Sequence, residues 1–77
     1  MNAEGIAKIA SKIALAANRS NKIAMFHMQV LLHAEELAAA DPIEFCRMVK
    51  VRDSFATEFR KMLSLARLMR EEGLSIR

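Results

Sequence analysis

Aliphatic residues recur along the start of the chain at steps of three and four: Ile6, Ile9, Ile13 and Ala17, with Lys8, Ser11 and Lys12 off that stripe. This is the period of an amphipathic helix, and it predicts one over residues 3–17. The polar run Asn18-Arg19-Ser20-Asn21 then breaks the pattern. It predicts a short link in which Ser20 or Asn21 caps the next helix by accepting a backbone N–H bond. A second helix is expected over residues 22–39, and it is the most apolar segment. Ile23, Val30, Ala34 and Leu37 form one stripe and Met25, Met28 and Leu32 another, leaving only Lys22, Gln29, His33 and Glu36 as a polar seam. A helix apolar nearly all round must be covered on several sides, which predicts a central helix with one face at a homodimer contact.

The strongest local boundary is Asp41-Pro42-Ile43-Glu44. An N-cap carboxylate precedes a proline whose missing N–H costs nothing at the first helical position, and a glutamate follows at the third. A short helix over residues 42–49 is expected, then a tight turn at Lys50-Val51-Arg52, with Asp53 or Ser54 capping the last helix. Phe55, Phe59, Met62, Ala66 and Met69 follow at helical spacing over residues 54–72, and Gly73 is placed to end that helix in the left-handed region. The fold class is therefore all-α: a small four-helix domain.

Composition narrows what such a domain can do. At 77 residues the chain is one small domain, which commonly needs a disulfide, a metal or a partner chain for stability. The single Cys46 excludes an internal disulfide, and one Cys with two His excludes the cysteine-rich zinc spacings. Self-association remains, so a homo-oligomer is expected. No cofactor is implied, and an unpaired Cys46 without a leader-like segment points to the cytoplasm. The longest stretch free of charged residues, 23–34, is too short for the ~20 residues that span a bilayer. The N-terminal helix has no aromatic anchor for a membrane surface, and no membrane partner is expected.

Catalytic constellations are missing as well, so the chain reads as a non-enzyme. His27 and His33 lie six residues apart, about 240° around a helix, and cannot meet at one metal. His27 reads as a core or interface histidine, His33 as part of the polar seam. Cys46 reads as a small packing residue, with no base in view to activate it.

The run from Phe45 to Phe59 resembles a helix-turn-helix. Cys46 takes the small position of the first helix, Val51 the apolar position of the turn, and Ala56 and Phe59 the buried positions of the second helix. Lys50 stands where that family usually has glycine, and if the site needs positive φ a lysine there is strained by ~1 kcal/mol. The resemblance covers about 20 of the 77 residues. It implies a C-terminal unit over 42–72 that binds DNA, beside a core and dimerisation unit over 3–39.

Charge runs the same way. Residues 45–70 hold seven cations against Asp53 and Glu58, a balance of +5 within a chain of +3, so the remainder carries −2. Arg52, Ser54, Thr57, Arg60, Lys61 and Ser64 fall at the front of the last helix with Arg67 further along, while Arg47 and Lys50 are placed toward phosphate. The expected function is a small homodimeric DNA-binding transcriptional regulator. The rival is a non-enzymatic protein-binding regulator, an antagonist of a transcription factor or of a defence complex, acting through a helical surface.

Overall fold

A computed structural model describes residues 1–74, which form five helices: α1 (Ala3–Ala14), α2 (Arg19–Leu32), α3 (Ala34–Leu37), α4 (Pro42–Met48) and α5 (Phe55–Glu71). The all-α class holds, and there is no strand among the described residues. Three of the helices open on a side-chain cap. Asn2 Oδ1 accepts the Gly5 N–H at 2.8 Å, Asn18 Oδ1 that of Asn21 at 2.9 Å, and Asp41 Oδ1 that of Glu44 at 3.0 Å. Each bond satisfies a donor that has no partner within its own helix. The second cap is thus Asn18, and Ser20 and Asn21 lie inside the first turn of α2. Removing the third cap with Asp41→Ala should cost ~0.5–2 kcal/mol, read as a lower denaturant midpoint. An unchanged midpoint would mean that α4 does not depend on this cap.

The expected second helix is divided at His33, whose backbone (φ −110°, ψ 21°) leaves helical geometry between α2 and the single turn α3. Leu37 enters the core beyond this bend, while Glu35 reaches Arg70 on α5 at 2.8 Å. The expected polar seam is also not a seam. Gln29 is 2% exposed, its Nε2 donates to Met25 Sδ at 3.5 Å, and its Oε1 has no partner among the described residues. Gln29 therefore sits at the packed centre of α2 rather than on its surface.

All four phenylalanines meet in that centre. Phe26 of α2 lies edge-on to Phe55 at 5.2 Å and 6.0 Å from Phe45 of α4, and Phe45 lies 5.0 Å from Phe59 of α5. Ile9 and Ile13 from α1, Val30 and Leu37, and Cys46, Val49 and Ala56 complete one core to which both halves of the chain contribute. The radius of gyration, 11.8 Å, matches the ~11.5 Å of a compact chain of this length.

This packing removes the reason for placing a dimer face on α2. Of its large apolar side chains only Met28, at 42%, stays exposed, because the rest of the chain already covers the others. Exposed large apolar side chains are found elsewhere as well: Leu15 just after α1, Ile43 and Met48 on α4, Leu65 and Leu68 on α5, and Leu74 beyond it.

Candidate nucleic-acid interface

The candidate site is built around the turn between α4 and α5. At the end of α4 the Lys50 N–H donates to the Arg47 carbonyl (3.2 Å) and the Val51 N–H to the Cys46 carbonyl (3.0 Å), with Lys50 at φ +62°. These two bonds around a left-handed residue make a Schellman turn, which stops the helix and redirects the chain. The same turn ends α5. There Gly73, at φ +73°, donates to the Arg70 carbonyl and Leu74 to that of Met69. Glycine adopts this conformation freely and lysine does not. Lys50→Gly should therefore relieve ~1 kcal/mol of strain, partly offset by glycine's larger unfolded-state freedom. A net gain of ~0.5 kcal/mol corresponds to a thermal midpoint ~2–4 °C higher. A lower midpoint would contradict the left-handed assignment.

The turn sets α5 across α4, and the positions that carry the resemblance are occupied as expected. Cys46, Ala56 and Phe59 are buried and Val51 is half-buried against them. Burial pushes the Cys46 thiol above its ordinary value, with the Asp53 carboxylate adding to that shift. A buried, protonated thiol is a packing group rather than a nucleophile.

With that side of α5 in the core, the other side is left to solvent. Arg47, Lys50, Arg52, Ser54, Thr57, Arg60, Lys61, Ser64 and Arg67 are all exposed, but they do not form one uniform patch. Arg47 is held bidentately by Asp53, Nε to Oδ1 at 3.2 Å and Nη2 to Oδ2 at 2.9 Å. This hydrogen bonding holds the Asp53 carboxyl below its usual range and raises Arg47. A depressed carboxylate contributes above its unfolded pKa, so the pair persists at neutral pH and is lost only as acid protonates Asp53.

The pair also explains the missing cap of α5. Asp53 is engaged with Arg47, and Ser54 sits in helical geometry without a side-chain cap bond. Short-range bonds from Phe55, Ala56 and Thr57 to the carbonyls of Arg52, Asp53 and Ser54 serve the first donors instead.

Lys61 lies 3.4 Å from Glu58, whose other oxygen accepts from His27 Nε2 at 3.1 Å. His27, expected among apolar neighbours, thus ties α2 to α5, while His33 faces Glu36 at 3.5 Å. Arg67 borders a separate cleft with Ser64, Glu35 and Arg70, away from the turn. Arg52, Arg60 and Lys50 make no ion pair among the described residues.

Two cations of this surface lie outside the expected set. Arg19 and Lys22, in the first turn of α2, line a cleft of about 450 Å³ together with Lys50 and Arg52. Nothing local in the sequence marks them, because the folding of the α1–α2 pair against the turn is what brings them there.

A tight turn between two helices, a buried seam of Cys46, Val51, Ala56 and Phe59, and a cationic outer face together define the helix-turn-helix class. The chain belongs to the family described as an HTH-like domain, which matches residues 1–72 and so takes in α1 and α2 as well as the helix pair. Compared with curated proteins and with solved structures, the chain has no match. No helix among the described residues is long and apolar enough to cross a membrane.

Proposed function

We propose that the protein is a DNA-binding transcriptional regulator that inserts the N-terminal half of α5 into the major groove. The observation that carries this reading is the division of α5 by the turn: Phe55, Ala56 and Phe59 face the core while Thr57, Arg60, Lys61 and Ser64 face outward. Arginine and lysine in the groove donate to guanine O6 and N7, and hydroxyls serve either bases or phosphates. Arg47, Lys50, Arg52 and Ser54 lie at the turn end, where phosphate contacts fix register, and Arg67 stands at the far rim. The Arg47–Asp53 pair is exposed and screened by salt, so exchanging the carboxylate for a phosphate costs little.

The active species in this reading is a cytoplasmic homodimer. Beyond Ser64, α5 exposes Leu65 and Leu68, at 40% and 54%, among Arg67, Arg70 and Glu71, and Leu74 follows at 62%. A two-fold contact there covers them and presents two copies of the turn to half-sites about one helical turn apart.

The test is a shift assay at 150 mM salt with duplex from upstream of the protein's own gene against a random duplex of equal length. A preferred complex with two chains per duplex is expected. Equal, weak binding to both would overturn the operator-binding reading in favour of a protein-binding regulator.

A further inference from the structure

We infer that the protein holds the DNA backbone with a second, non-local anchor, a phosphate-binding cleft formed by Arg19 and Lys22 of α2 with Lys50 and Arg52 of the turn. The inference rests on the DNA-binding reading and adds to it where one strand must run. Four cations and no carboxylate line this cleft, whose floor includes Ile13, Ile23 and Phe55. Like charges that line one cleft repel one another, and a polyanion removes that repulsion while releasing its own counterions.

The opposite end of α4 is unsuited to the same part. Asp41 and Glu44 stand there, and Glu36 on α3 adds to the acidic side, whereas Glu35 is paired with Arg70. A phosphate strand leaving the front of α5 is therefore drawn over the turn toward the start of α2 and repelled in the other direction.

Lys50 supplies an independent observation. The same backbone turn is made by glycine at the end of α5 and by lysine at the edge of the cleft. Strain retained at one of two equivalent turns is accounted for if the side chain it carries has work there, and the cleft is where that side chain lies.

The experiment titrates salt from 50 to 200 mM over the full chain, with a random-sequence 30-base-pair duplex and the upstream duplex. Each lost phosphate contact lowers the slope of log affinity against log salt by about 0.9, so Arg19→Ala with Lys22→Ala should flatten it by about 1.8 per protomer. The loss should be equal on both duplexes, leaving the preference between them unchanged. The charge-retaining exchange Arg19→Lys with Lys22→Arg should keep the wild-type slope. Lys8→Ala with Lys12→Ala removes two charges from α1 outside the cleft and should also keep it. A slope for the Arg19/Lys22 variant equal to that of wild type, or to that of an equally flattened Lys8/Lys12 control, would overturn the anchor while leaving the DNA-binding reading intact. Absence of any complex between the wild type and either duplex would overturn both.

Discussion

Phe59→Ala should remove ~3–5 kcal/mol of stability, most of what a chain of this size possesses. Phe59 is 0% exposed and sits where α5 meets α4, 5.0 Å from Phe45, which in turn lies beside Phe26. Deleting its ring forfeits transfer free energy and leaves a cavity that three helices would have to collapse around. At a urea dependence of about 1–1.5 kcal/mol per molar, the unfolding midpoint should fall by ~2–5 M, and circular dichroism at 25 °C should show substantial loss of helix. Leu15→Ala is the control. That side chain is 84% exposed, and its truncation should stay within ~0.5 kcal/mol. A Phe59→Ala protein as stable as the control would mean that α5 is not docked through this residue, and the turn geometry that depends on the docking would fail with it.

The same ring shows why parts of the fold were legible and others were not. Phe55 and Phe59 stand out in the sequence because they begin a clean helical stripe bounded by polar residues, and the Asp41-Pro42 cap and Gly73 stop are local chemistry that needs no tertiary partner. Phe26 belongs to an equally regular series with Ile23 and Val30, but α2 is so rich in apolar residues that periodicity alone does not say which face is inward. Burial of Gln29 was hidden for the complementary reason, since residue type argued for the surface while its place between Phe26 and Val30 put it inside. The division of α2 at His33 has no glycine or proline to mark it. Asn18 did leave a signal, an amide side chain three residues before the N–H that it caps, but Ser20 and Asn21 offered the same chemistry closer to the apolar run.

For the site, the helix-turn-helix spacing was readable because all of its positions fall within fifteen residues. The structure adds what spacing cannot hold: the left-handed Lys50, the capture of Arg47 by Asp53, and the arrival of Arg19 and Lys22 from another helix pair. It also separates Arg67 from the turn cations with which its charge had grouped it. A dimer face on α2 follows from its apolar composition alone, whereas α1, α3 and α5 pack against that helix within one chain.

Arg60→Ala with Lys61→Ala should leave circular dichroism and the thermal midpoint nearly unchanged, because both side chains are exposed and neither enters the core. Its effect should fall on recognition. A bidentate base contact is worth ~1–3 kcal/mol of discrimination, so losing both should cut the preference for the upstream duplex over a random one by ten-fold or more. Wild-type affinity, for a dimer making about 6–10 phosphate contacts, should itself fall by ~10³–10⁵ between 50 and 200 mM salt, and the double variant should show a shallower slope. Under the proposed reading the two cationic groups should act differently, Arg60 and Lys61 setting which duplex is preferred and Arg19 and Lys22 how tightly any duplex is held. Lys61 carries an internal check, because its partner Glu58 is shared with His27. Arg60→Ala alone leaves that network intact and should account for most of the lost preference. If the double variant keeps the wild-type ratio between duplexes, the front of α5 does not read bases.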